Sequence, residues 1–549
     1  MMNHSIFNRH CLIFILAIFL PLFLFSQNSK NKKPKLVIGL VIDQMRWDYL
    51  YRYESKYSKN GFKRLMNDGY SCENTQIPYV PTYTAPGHTC IYTGSVPALH
   101  GIIANNWFDK SIEKSVYCTD DEKYTSVGDT TAAGKMSPSR MLTTSICDEL
   151  KLATNFKSKT IGISLKDRGS ILPAGHSADG AYWFSGESGK WITSSFYRSH
   201  LPQWVIESNQ KLAVDAKHYE NWKTIMSLEK YHESTEDNVV WESPYKNESE
   251  PIFEHNIKSL LEKNSEILKA LPYGNKMTLD FAKDAILAES LGKNIYTDFL
   301  AVSLSSTDYI GHQFGTNSIE IEDTYLQLDR ELALFLNFLD KNIGKGNYLL
   351  FLSADHGAAH NATFLNTQKI PSGNLIYESF NKKVRDFIIQ EFKDSTILYG
   401  IANQQIYLNH KSILKNNLMV DKVKSKISTY LMSLQGIVDV VDLENAGSSH
   451  LQEYLKSLVI NGYNAQRSGD LYFLMNPAWM EDFTKGTTHG TAYKYDTHIP
   501  LIWYGWGIKR GKDYDLVSMT DIAATLASML QIQEPSGCIG KPIEGIFKK

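Results

Sequence analysis

The chain reads as an α/β protein: a doubly wound, mostly parallel sheet with helices on both faces and two inserted cap regions. Three observations predict it. Continuously apolar runs recur along the sequence, helical patterns stand between or after them, and charged or metal-ligating side chains fall at or just past the run ends. In open parallel sheets ligands bind outside the carboxyl ends of the strands, so the third observation also locates a site.

Taken in order, residues 11–25, CLIFILAIFLPLFLF, follow Arg9 and His10 and precede Ser26. The run is short for a bilayer span, contains Pro21, and has the basic start, apolar middle and small terminal residue of a secretory signal, with cleavage expected near Ser26. Residues 1–26 are therefore read as a signal peptide and 27–549 as one catalytic domain. No other stretch approaches roughly 20 uninterrupted apolar residues, so no membrane span is expected after signal removal and the mature protein is expected to be periplasmic or secreted. Cys11 opens the apolar run, which argues against a lipid-anchored cysteine.

After the linker Asn28–Lys35, LVIGLVID reads as a buried parallel strand with Asp43 at its carboxyl end. Similar runs follow at KTIGISL (159–165), TDFLAVSLSS (297–306), NYLLFLSAD (347–355) and IPLIWYG (499–505), with helical patterns at 278–291, 320–341 and 518–531. Two stretches break the alternation, about 186–276 and about 362–470, and are read as insertions that cap the site. The tryptophans of the first (Trp183 and Trp191 at its edge, Trp204, Trp222, Trp241) suit either core or a substrate platform. Among the cysteines left after signal removal, a disulfide within Cys72, Cys90, Cys118 and Cys147 is plausible in an oxidising compartment, and Cys538 completes an odd count. None has the paired spacing of a zinc ribbon.

The formal charge of -2 offers no broad basic surface for nucleic acid, so a small-molecule substrate fits better. Asp308 and His312 in TDYIGH stand four apart, which puts both on one helical face. Asp355 and His356 in SADHG follow a strand directly, and His489 in GTTHGT sits in a Gly/Thr-rich loop. With Asp43 they make three carboxylates and three imidazoles, a mixed donor set that suits zinc better than calcium or magnesium, with Mn²⁺ or Fe²⁺ left open.

Thr84 precedes Ala85-Pro86-Gly87, where Pro86 suits a first helical turn. A helix amino terminus there would favour an alkoxide and an attached phosphate. Asn105, ending GIIAN, can donate to a phosphoryl oxygen. Lys166 and Arg168 in SLKDRGS lie one residue apart just past a strand and can reach one anion, the arginine through a bidentate fork. Asp167 and His176 are read as structural.

These motifs resemble the alkaline phosphatase superfamily, and most closely its threonine-nucleophile, phosphate-irrepressible monoesterases, the PafA-type phosphatases. The resemblance runs from about Leu36 to the C-terminal TDIAATLASMLQI and GKPI segments. It implies two zinc ions, one on Asp308, His312 and His489 and the other on Asp43, Asp355 and His356. It further implies a phosphorylated Thr84, with Asn105, Lys166 and Arg168 on the phosphoryl oxygens, acting on small phosphate monoesters. A third, magnesium site is not expected: LAVSLSST before Asp308 has no acidic residue, and Lys166 can supply positive charge in that neighbourhood.

Alternatives remain. A nucleotide pyrophosphatase/phosphodiesterase shares the metals and the threonine but usually offers a neutral or apolar pocket. An inactive cell-envelope phosphoester-binding protein would be expected to lack a ligand or the nucleophile, and here every position is filled. A sulfatase needs a C/S-x-P-x-R motif that TAPGH does not supply, and a membrane-bound phosphoethanolamine transferase needs several spanning helices.

Overall fold

The computed structural model describes residues 33–547 apart from residue 263; the expected signal peptide lies outside the described residues. Strands β1 (Leu36–Ile42), β2 (Tyr70–Gln76), β3 (Thr160–Ser164), β4 (Gly180–Ser185), β5 (Lys190–Ser194), β6 (Asp298–Leu304), β7 (Tyr348–Ser353), β8 (Leu501–Gly505) and β9 (Gly511–Ser518) carry the central sheet. Its order is β2–β8–β7–β1–β6–β3–β4–β5; β9 pairs with β2, and the short segments His498–Ile499 and Ser126–Val127 finish the two edges. The middle is parallel throughout: β7, β1, β6, β3 and β4 pair in one direction. The flanks reverse, with β8 antiparallel to both β7 and β2 and β5 antiparallel to β4.

The four apolar runs expected to be parallel strands near the site are β1, β3, β6 and β7, each buried along its whole length. IPLIWYG differs, because β8 runs antiparallel. Burial on both faces explains why the runs are continuous rather than alternating. Helices α1 (Thr84–Thr93), α2 (Asp167–Ala174), α3 (Pro272–Ala288), α4 (Ser306–Phe314), α5 (Ile319–Leu339) and α6 (Asp521–Leu530) cover the sheet. Helix α1 is buried at every residue, so it is covered on its outer side as well as where Tyr92 bonds Gly39 O of β1.

The strand Lys190–Ser194, inside the stretch read as the first insertion, belongs to the central sheet. The second region holds its own sheet of Leu398–Ala402, Gln405–Leu408, Leu471–Met475 and Ile437–Asp442. It extends past 470, because its strand Leu471–Met475 lies between the other members, and it encloses a separate apolar core. Trp183, Trp191 and Trp222 are core residues, each at most 2% exposed.

The expected disulfide is not formed. Cys72, Cys90, Cys118, Cys147 and Cys538 are all free. Cys118 packs with Trp107 and Met141 in a cluster of its own, apart from the main core that holds Cys72, Cys90 and Cys147.

Candidate active site

Strand register assembles the centre. Val41 of β1 pairs with Ser353 of β7 and Ser303 of β6, and Ser303 pairs in turn with Ser164 of β3. Two residues beyond that row stand Asp43, Asp355 and Lys166, three side chains brought abreast by the parallel sheet. Helix α4 begins just past β6 and carries Asp308 and His312 on one face. His489 arrives from the opposite end of the chain.

Three imidazoles are anchored by main-chain carbonyls. Nδ1 of His312 faces Thr487 O at 2.8 Å, Nδ1 of His356 faces Gly357 O at 3.0 Å, and Nδ1 of His489 faces Thr82 O at 2.6 Å. A carbonyl only accepts, so each Nδ1 carries the proton and each Nε2 is left as a lone-pair donor, the usual outer partner of a metal-bound histidine. Burial pushes His356 and His489 below the ordinary imidazole range, which keeps them in the neutral, ligating form.

The Nε2 atoms converge on carboxylates. His356 Nε2 is 3.6 Å from Asp43 Oδ1 and 3.5 Å from Asp355 Oδ2, while Asp308 Oδ1 is 3.1 Å from His312 Nε2 and 3.7 Å from His489 Nε2. Donors about 2.0–2.1 Å from a tetrahedral zinc lie roughly 3.3 Å apart, so these spacings are those of ligands around an ion. Asp43 Oδ1, Asp355 Oδ2 and His356 Nε2 are buried with no hydrogen-bond partner among the described residues. Such atoms are costly unless something binds them, and all three are donor types that a divalent cation takes. Asp308 belongs to both tight clusters, one with His312 and His489 and the other with Asp43 and His356, while Asp355, expected in the second, stands 3.5 Å from His356 without closing that cluster.

Lys166 supplies positive charge beside Asp308, the neighbourhood expected of it from sequence. Its Nζ donates to Asp43 Oδ2 at 2.7 Å and to Asp308 Oδ2 at 2.5 Å, between the two groups, and lies 5.1 Å from the centre of the Tyr309 ring. Burial opposes its charge, but Asp308 and Asp43 outweigh burial and hold the ammonium above its usual range. Burial raises the Asp43 carboxyl, with Asp308 and Asp355 adding to the shift. At Asp308 burial pushes the same way but is outweighed, mainly by His312 and Lys166, which leaves it ionised.

Thr84 opens α1, 1% exposed. The Ala85 amide donates to Asn105 Oδ1 at 2.9 Å, which docks Asn105 beside Thr84 and leaves its NH₂ for another acceptor. At Gly87 a Cβ would stand 2.4 Å from the Asp355 carbonyl, so only glycine lets α1 lie this close to the end of β7. Arg168 Nη1 donates to Tyr117 Oη at 2.9 Å.

Several contributors escape sequence reasoning. His88 lies one helical turn beyond Thr84; its Nδ1 is 2.9 Å from Thr84 O and 3.3 Å from Asp355 Oδ2, and its Nε2 is 2.8 Å from Ser303 Oγ. The only signal for it was the spacing in TAPGH. Gln44, with φ 65°, gives its amide to Asp355 Oδ1 at 3.1 Å and its side-chain NH₂ to Asp308 Oδ1 at 2.7 Å. Phe483 stacks on His312 with centroids 5.1 Å apart, and the Tyr83 ring meets His489 edge-on at 5.5 Å. His176 bonds Asp148 and the Met141 carbonyl, away from the ligand groups.

The family model described as type I phosphodiesterase / nucleotide pyrophosphatase matches residues 37–498. The chain belongs to this family. Within the type I phosphodiesterase / nucleotide pyrophosphatase family it is similar to proteins named for monoester hydrolysis. Alkaline phosphatase PhoV of Synechococcus elongatus is 48% identical over 94% of this chain and 93% of its own. Alkaline phosphatase PafA of Elizabethkingia meningoseptica is 48% identical over 94% of this chain and 95% of its own. A Myroides odoratus protein named calcium-transporting ATPase is 50% identical, over 94% of this chain and 95% of its own. A crystal structure of wild-type PafA superposes with a TM-score of 0.92 at 47% identity, covering 95% of this chain and 100% of that one. The fold also matches murine ectonucleotide pyrophosphatase / phosphodiesterase 5, at 15% identity and a TM-score of 0.50, over 92% of this chain and 96% of that one. The resemblance to the PafA-type phosphatases thus holds across nearly the whole chain.

Proposed function

We propose that this protein is an exported phosphomonoesterase that passes the phosphoryl group through Thr84 and releases inorganic phosphate. The observation that carries the reading is the Lys166 ammonium set between the Asp43 and Asp308 carboxylates, with Arg168 two positions further on: a monoester dianion has three non-bridging oxygens to offer two such cations, whereas a diester adds an organic group that would crowd them. The alkaline phosphatases named above, similar over nearly their full lengths, support the same substrate class. A solved PafA variant in which a threonine, an asparagine, a lysine and an arginine are replaced supports treating Thr84, Asn105, Lys166 and Arg168 as one working set.

In this reading Thr84 Oγ attacks phosphorus in line with the departing alkoxide, and water then hydrolyses the phosphothreonine. Asn105 donates to one phosphoryl oxygen, and Lys166 and Arg168 stabilise charge on the others; a preorganised donor of this kind contributes on the order of 2–4 kcal/mol to barrier lowering. Asp43, Asp355 and His356 would hold one divalent ion and Asp308, His312 and His489 another, with zinc the best match to the donors. When bound, such ions supply Lewis-acid charge beside the reacting phosphorus and favour ionisation of a neighbouring hydroxyl.

The deciding experiment compares kcat/KM for matched aryl monoesters and diesters, in the wild type and in Lys166→Ala and Arg168→Ala. Monoester preference that collapses in both variants is expected. A wild type that prefers the diester would instead make the protein a phosphodiesterase, the activity its family model is described by. The name of the Myroides relative points to ATP-driven transport, yet among the described residues no helix is long and apolar enough to cross a membrane. Export is tested by sequencing the amino terminus of protein from the periplasm or medium, which should begin near Ser26.

A further inference from the structure

Arg168 is held by a phenol, and the phenol by a carboxylate. Arg168 Nη1 donates to Tyr117 Oη at 2.9 Å; Tyr117 donates in turn to Asp167 Oδ1 at 2.6 Å, an oxygen that also accepts from Thr119 Oγ1 at 3.0 Å. The direction of this relay follows from the groups themselves. A guanidinium only donates and a carboxylate only accepts, so the single phenolic proton must point at Asp167 and the phenolic lone pair at Arg168.

Tyr117 comes from the strand Lys114–Tyr117, which pairs with Asn106–Asp109 in a two-stranded ribbon outside the central sheet. The ribbon starts one residue after Asn105, so the element that carries one phosphoryl donor also orients another. Arg168 Nε is buried without a hydrogen-bond partner among the described residues, leaving the guanidinium with donor capacity that the protein does not use. No carboxylate among the described residues is within ion-pair distance of it. This matters because a carboxylate in direct contact would fix the guanidinium but offset most of its charge, whereas a neutral phenol fixes it and keeps the nearest carboxylate, Asp167, one hydrogen bond further away.

We propose that Tyr117 is the positioning residue that holds Arg168, with no carboxylate in direct contact, for a dianionic phosphoryl group and so sets the preference for monoesters over diesters. The inference rests on the monoesterase reading above. Asp167, read from sequence as structural, then acts through Tyr117 by fixing the phenolic proton.

The test is a double-mutant cycle in the metal-replete full chain: wild type, Tyr117→Phe, Arg168→Ala and the double variant, each assayed on matched aryl mono- and diesters. Tyr117→Phe should lower monoester kcat/KM by on the order of tenfold or more while diester turnover changes less than about twofold. In the Arg168→Ala background it should have no further effect. The ratio of the two substrates within one preparation cancels any inactive fraction. A second readout needs no turnover: inorganic phosphate should raise the melting temperature of the wild type, and Tyr117→Phe should lose the same share of that rise as Arg168→Ala.

Equal losses on both substrates, or a Tyr117→Phe penalty that persists without Arg168, would overturn the proposal and leave Tyr117 a packing residue. Failure of the monoesterase reading looks different: Arg168→Ala itself would then leave monoester turnover intact, and this inference would fall with it.

Discussion

The two ligand groups differ in how they are covered. Asp43, Asp355 and His356 have side chains with no exposed surface, set on strand ends in the interior, and His356 is anchored within its own turn. At the other group the His312 side chain is 29% exposed, and its imidazoles are tied to carbonyls from distant segments, Thr487 and Thr82. Rings line this second group, Phe483 against His312 and Tyr83 against His489. On the proposed mechanism this contrast would divide the labour, the enclosed half fixing Thr84 and the open half meeting the variable leaving group.

The largest effect is expected where the halves meet. Thr84→Ala should reduce monoester turnover by at least about a thousandfold, measured with ions saturating; near wild-type rates would remove Thr84 from the reaction and leave the two halves nothing to share. Next, His356→Ala should cost on the order of a thousandfold and His312→Ala roughly ten- to a hundredfold, since the partly exposed position can recruit water as a substitute ligand. Equal losses would break the comparison.

Timed dialysis against a chelator, followed by metal analysis, should show two phases with the first ion leaving the open group. His312→Ala should then hasten only the first phase. A single phase in both proteins would mean that exposure does not control exchange.

The smallest expected effect lies outside both groups, in the segment packed on the start of α5. Burial disfavours a charged His255, but its bonds to Glu248 and Glu320 outweigh burial and push its pKa up to about 9. Glu242, 1% exposed, is pushed up to about 11 by burial and by Glu320. A raised histidine contributes stability that is complete below its unfolded pKa near 6.5 and is lost as pH rises through 9. A raised carboxyl likewise favours the folded state less as pH climbs above its unfolded value near 4.5, because only the unfolded chain ionises. The melting temperature should therefore decline from pH 7 to pH 9. Glu242→Gln should flatten the decline and raise the melting temperature at pH 9 by a few degrees; an unchanged slope would remove Glu242 as its source.

Much of this was legible in sequence because the central strands are buried on both faces, which writes them as apolar runs whose ends carry Asp43, Lys166 and Asp355. The four-residue spacing of Asp308 and His312 was readable for the same periodic reason. Tyr117 was not, since it closes a short solvent-edged strand with no apolar run to mark it, and its meaning depends on Arg168, which stands 51 positions away. Gln44 was hidden by its left-handed backbone, a conformation that local pattern does not encode. The disulfide expectation came from compartment and count alone, and neither carries the distances between the cysteines in the fold.

Gly87 has a consequence for how this enzyme can change. Because a main-chain carbonyl, not a flexible side chain, lies where its Cβ would be, the offset between Thr84 and Asp355 behaves as a fixed spacer machined into the backbone. Drift in the surrounding loops would leave that spacer untouched. Even the smallest side chain at position 87 would wedge the two apart, degrading every substrate alike rather than shifting preference among them.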